Sequence, residues 1–162
     1  MATFAARITA LTGLTVSSGS ASEYLKDAVL EITNMHVYTN PQDAIMYSRV
    51  SAASASQAGL SANNSKIISV VREAGVVNDW REATAIPVGM QARVTDPDSL
   101  SYSSEFNPTY IISDTGNVSV FPPPNASASS YKLYYVNDVP TDKTNGIVLV
   151  DTHVDIKYFP SD

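Results

Sequence analysis

Asp151, His153 and Asp155 stand two residues apart, so on an extended strand their side chains share one face. Two carboxylates and an imidazole on one face are the ligand types that hold a divalent metal. Between and beside them Val150, Thr152, Val154 and Ile156 form the opposite, largely apolar face. That alternation is also what a half-buried strand needs on its solvated side, and it accounts for the run without a metal. Asp96 and Asp98 are a second carboxylate pair, of a kind that acid–base chemistry uses. They flank Pro97, and turn chemistry explains the same three residues.

His36 follows an apolar helical pattern and stands near its C-terminus, where an imidazole suits the helix dipole. The chain has two histidines and no G-x-S-x-G elbow, so nothing marks a Ser-His-Asp arrangement. "SDTGN" has one glycine and lies between two strand-like runs with no helix after it, which excludes the usual phosphate cradle. There is no cysteine, which removes disulfides, thiolate metal sites, iron–sulfur clusters and cysteine nucleophiles together. The residues therefore predict no catalytic group, no cofactor and no metal. The sequons at Asn63, Asn117 and Asn125 are read as chance matches, because the N-terminus carries no secretion signal. The second residue is Ala2, where a myristoylation signal requires glycine.

What remains is surface. Phe121, Pro122, Pro123 and Pro124, then Tyr131, Tyr134 and Tyr135, are a candidate interaction surface, since aromatic side chains supply large contact area at low entropy cost. Core and cross-strand packing is the other use for the same aromatic residues. The three prolines end one strand firmly, and the Ala/Ser loop after them reads as a reaching loop at a sheet edge.

The elements that would position these residues follow from periodicity. Phe4, Ile8 and Leu11 predict a short helix closed by Gly13. Ser20 and Glu23 have capping-box spacing, ahead of an apolar stripe of Tyr24, Leu25, Ala28, Val29 and Ile32. Asn40-Pro41 opens a short helix through Met46. A strand fragment and a loop over about 55–65 follow, then "KIISVVREA" as a buried strand, turned by Gly75. A strand ending near Ile86 leads into a short helix from Pro87 to Arg93. "TYIIS-DTGN-VSVFP" predicts a hairpin with Tyr110, Ile112, Val118 and Val120 on one face. Tyr131–Val136 and a run from Gly146 complete the strands. The order predicts an α+β fold: helices over 1–47, packed with an antiparallel β-rich body over 48–162 that holds one short inserted helix, as one compact domain.

The chain has 162 residues, enough to bury roughly two thirds of its unfolded surface. Its ten basic and sixteen acidic residues leave a net charge of −6, which disfavours a nucleic-acid backbone as partner. Only 16% of residues are charged, a composition more common where neighbouring subunits cover the surface. No apolar run approaches the roughly 20 residues that cross a bilayer, so no membrane is expected.

"RITALTGLTVSSGSASEYLKDAVLEITN", "IISVVREAG", "YYVNDVPTDKTNG" and "DIKYFPSD" together resemble virion structural proteins of tailed bacteriophages, of the type found in marine phages. Helices followed by a β-rich body look most like the head-to-tail adaptor, or connector, proteins. The resemblance implies a non-enzymatic subunit of the virion, assembled in the host cytoplasm as a homo-oligomeric, twelve-fold ring. It would contact the portal protein and the downstream tail proteins, with DNA passing through the lumen without specific binding. The resemblance implies an apolar helical segment after the "YFP" motif, and the sequence, which stops at Asp162, departs from that pattern. The other function implied is a tail or capsid-surface binding module recognising a receptor or glycan.

Overall fold

A computed structural model describes residues 3–61, 65–125, 128–136, 140 and 150, and its fold is α+β. The chain divides into two compact units, residues 1–48 with 137–162, and residues 49–136. The extended run expected from Gly146, with Asp151, His153 and Asp155, lies outside the described residues.

In the first unit, helix α1 (Phe4–Thr12) starts where Thr3 Oγ1 accepts from Ala6 N, and stops at Gly13 in the left-handed region. Phe4 and Ile8 are half-buried, but Leu11, expected on the same face, is 87% exposed. Helix α2 (Ser18–Thr39) is capped by Ser17, which accepts from Ser20 N, three residues before the expected cap. Glu23 does not reach back to a cap and pairs instead with Lys26 Nζ at 2.7 Å. The earlier start adds nearly a turn, Ser18–Ser20, all of it exposed. The buried face includes Ala21, Val29, Thr33 and Val37 at multiples of four, with Leu25 half-buried between them. Of the expected stripe, Tyr24, Ala28 and Ile32 are exposed. A 3-10 helix, Pro41–Tyr47, follows, with no side-chain cap from Asn40.

The second unit comprises strands β1 (Ser48–Val50), β2 (Leu60–Ser61), β3 (Lys66–Glu73), β4 (Trp80–Glu82) and β5 (Thr84–Ala85), helix α3 (Gln91–Thr95), and strands β6 (Thr109–Ile112), β7 (Asn117–Phe121) and β8 (Tyr131–Val136). They form two four-stranded sheets, ordered β1-β8-β3-β4 and β2-β7-β6-β5. The strand expected to end near Ile86 is in fact two strands, one in each sheet. Ala83 makes the crossing: its N–H still donates to Val70 O, while the next N–H, of Thr84, donates to Pro108 O. A larger side chain at this 5%-exposed position would fill the space between the sheets, so alanine suits the switch. The crossing also leaves β5 parallel to β6, where an all-antiparallel body was expected.

Val70, Tyr131 and Leu133 of one sheet meet Val118 and Val120 of the other across this core, with Ala83 among them. The hairpin has the expected register, Tyr110 opposite Val120 and Ile112 opposite Val118, and Gly116 supplies the positive φ of its turn. On β3 the register shifts between Ile67 and Ser69, so Ile67 and Val70, an odd number of residues apart, both pack on the core. On the far side of the β7-β6 pair, Val94 of α3 packs with Ile111 and Phe121. Alternation along β7 separates the two clusters, Val118 and Val120 facing one way and Phe121 the other.

Tyr131 ties the sheets together. It is fully buried, and its hydroxyl donates to Val118 O at 2.9 Å while accepting from Leu60 N at 3.0 Å. Leu60 and Val118 are register partners on β2 and β7, so a hydroxyl from the opposite sheet bridges their ladder. Burial raises the Tyr131 pKa above 10.0, against the hydrogen bonds from Leu60 and Gly59, which keeps the donor protonated at neutral pH. Tyr131→Phe removes both hydrogen bonds to these backbone groups and is expected to cost about 1–3 kcal/mol. Urea unfolding of the two proteins, compared at equal slope, measures the difference.

Candidate functional site

At the end of β3, beside the turn at Gly75, lies a cleft of about 400 Å³. Its floor is Arg72. On β3 this residue lies opposite Tyr131, and its side chain is only 4% exposed. The guanidinium Nε donates to Pro122 O at 2.9 Å and Nη1 donates to Glu73 O at 2.7 Å. Burial lowers its pKa while the charges of Glu105 and Glu73 oppose that shift, and a guanidinium in such company stays cationic. Arg72 thus links the end of one sheet to the chain leaving the other.

The walls come from three loops. Gly75 has a φ of +78°, and a Cβ there would lie 2.9 Å from Glu105 Oε2. Glycine is needed twice, for the backbone conformation and for the carboxylate that rests on it. Glu105 and its neighbours Tyr102 and Phe106 belong to the loop between α3 and β6. That loop is anchored by Ser103, whose N–H donates to Val94 O and whose hydroxyl shares a buried 2.6 Å hydrogen bond with Thr109 Oγ1. Pro122, Pro123 and Asn125 close the third side. A smaller compartment of about 260 Å³, bounded by Val94 and Phe121, shares Tyr102, Pro122 and Pro123 with the cleft.

Beside the floor, Glu73 is 5% exposed and holds the turn together. Its carboxylate accepts from Ser130 Oγ at 2.6 Å, from Ser130 N at 3.2 Å and from Asn78 N at 3.0 Å. Burial alone would raise its pKa; the hydrogen bonds from Ser130 and Asn78, with the charge of Lys132, carry it below 4.5. On the outer side, Lys132 Nζ sits 4.0 Å from the centre of the Trp80 ring.

The seven residues expected to form an interaction surface do not lie together. Phe121 and Tyr131, 2% and 0% exposed, are core side chains and offer no contact area. Tyr134 and Tyr135, successive on β8, point to opposite faces: Tyr134 is exposed and Tyr135 packs on the core. Pro124 is half-buried, and only Pro122 and Pro123 reach the cleft. Elsewhere, Asp96 and Asp98 make the expected turn, with Asp98 N donating to Asp96 Oδ1. His36 stands in the last turn of α2, as expected. Its Nδ1 shares a 3.0 Å hydrogen bond with Tyr47 Oη, and Nε2 lies 3.8 Å from Asp43, which joins α2 to the 3-10 helix.

Sequence reasoning missed Arg72, Tyr102, Glu105 and Phe106. One signal was present: an arginine and a glutamate inside the apolar run "IISVVREA" cannot be buried without partners. The arrangement is suited to recognition. Its groups are a guanidinium, a carboxylate, an amide and two aromatic rings, with no imidazole or thiol among the lining residues. Among the described residues, no three His, Cys, Asp or Glu side chains converge as metal ligands.

No model of a known family matches the chain, and no curated protein matches it.

Because the folded pKa of Glu73 lies below its ordinary value, its contribution to stability is complete above pH 4.5 and is lost as pH falls through the folded value. Glu73→Gln should therefore be less stable than the parent at pH 7, and its stability should change less between pH 5 and pH 3, a window of about two units around the ordinary carboxyl value. Chemical unfolding across that range checks the crossover.

Proposed function

We propose that the protein is a non-enzymatic structural subunit of a tailed-phage virion, of the head-to-tail adaptor kind, working as a closed homo-oligomeric ring between the portal and the tail. The observation that carries this is on α2. Tyr24, Ala28, Ile32, Met35 and Tyr38 follow spacings of four, four, three and three, and all are exposed, Tyr38 at 87%. They form a second apolar stripe beside the one that the helix buries. A helix apolar over more than one face belongs in a larger packed assembly. Among the described residues, no helix is long and apolar enough to cross a membrane.

A ring is the assembly that such a surface serves without forming filaments, since a heterologous contact closes when its rotation does. The low charge content favours close subunit contact, and the net charge of −6 favours a lumen that does not retain DNA. The resemblance of the sequence to phage virion proteins supplies the biological setting for this ring. Contacts to the portal and tail proteins, and a copy number of twelve, belong to the same proposal.

Light scattering on the purified chain tests the assembly. The expected result is one discrete mass above the monomer, and Ile32→Asp, a change at an exposed position, should weaken association by at least about tenfold, or 1.4 kcal/mol. Helical circular dichroism should be unchanged in that variant. A parent protein that stays monomeric at every concentration would overturn the reading.

A further inference from the structure

We infer that the cleft over Arg72 is a binding site for a neutral saccharide. Its charges are the first reason. The Arg72 guanidinium on the floor and the Glu105 carboxylate on the wall line the same space, and Glu105 is the leading negative influence on Arg72. Their charges compensate. An anionic ligand would gain from Arg72 and lose to Glu105; a cationic ligand would meet the reverse. An uncharged ligand with both donors and acceptors loses nothing, because Glu105 accepts from a hydroxyl that Arg72 or the Asn125 amide can donate to.

Shape and polarity are the second. Tyr102 and Phe106 line the cleft beside the polar groups and are both exposed, Phe106 at 66%. A sugar has C–H faces that pack on rings and hydroxyl edges that take bidentate hydrogen bonds from planar side chains. The volume of about 400 Å³ lies within the range of small-molecule sites. The floor is also held in place before any ligand arrives, since Arg72 is fixed by Pro122 O and Glu73 O and the Glu105 carboxylate rests on Gly75. The site is independent of the assembly reading and stands or falls without it.

The test is ligand-observed NMR on the full chain, with glucose, galactose, N-acetylglucosamine and their neutral disaccharides as probes, and glucuronate, phosphate and an uncharged tripeptide amide as controls. At least one neutral sugar should bind in about the millimolar range, and Tyr102→Ala or Phe106→Ala should weaken it by about tenfold with the fold intact by circular dichroism. Glu105→Gln should begin to bind glucuronate, because the larger of the two negative charges acting on Arg72, and the one that lines the cleft, is then removed. Three results would each overturn the proposal: no neutral sugar binds, the parent prefers glucuronate or phosphate, or the tripeptide amide binds and the sugars do not.

Discussion

The hydroxyl of Tyr131 is the contact on which the β-rich unit depends. Two sheets with apolar inner faces can slide, because hydrophobic burial is not directional. One buried hydroxyl that must donate to Val118 O and accept from Leu60 N removes that freedom. It also joins the register partners Leu60 and Val118 of β2 and β7 through one group, which helps to hold a two-residue strand in place. An unpaired polar group in a dry core costs more than a paired one gains, so this arrangement specifies register more than it adds stability.

The same cross-strand pair produces the cleft. Arg72 stands directly opposite Tyr131, near the end of β3, and it too spans from one sheet to the chain leaving the other. Tyr131 can do so with a neutral hydroxyl inside the core. Arg72 does so with a charge, and a charge can be buried only where partners surround it and some access to water remains. The opening over the guanidinium is thus a consequence of placing a cation at the mouth of the core. Glu105 and the loop that carries it then line an opening that the strands had already made.

Local patterns were legible wherever one neighbour in sequence was enough to decide them. The β6–β7 register, the Gly116 turn and the buried run of β3 follow from alternation and glycine chemistry. The α2 cap was not legible, because "SSGSAS" offers several serines that can accept from a backbone N–H three residues on. The face of α2 was only partly legible: Ile32 is as apolar as Leu25 and Val29, and packing alone separates the stripe that is used from the stripe left exposed. Phe121 and Tyr131 could be read as surface or as core aromatics, and only packing decided that both are core.

The sequence by itself determined the α+β composition, the absence of cysteine chemistry and the positions of most strands, since these rest on residue type and short periods. Tertiary structure alone decided that Ala83 divides one expected strand between two sheets, that Tyr131 bridges them, and that Arg72, Glu105, Tyr102 and Phe106 meet. Those outcomes join residues far apart in the chain, and no local preference distinguishes a partner at that distance. They are set by which buried polar groups can be satisfied at once, a condition that exists only when the sheets have come together.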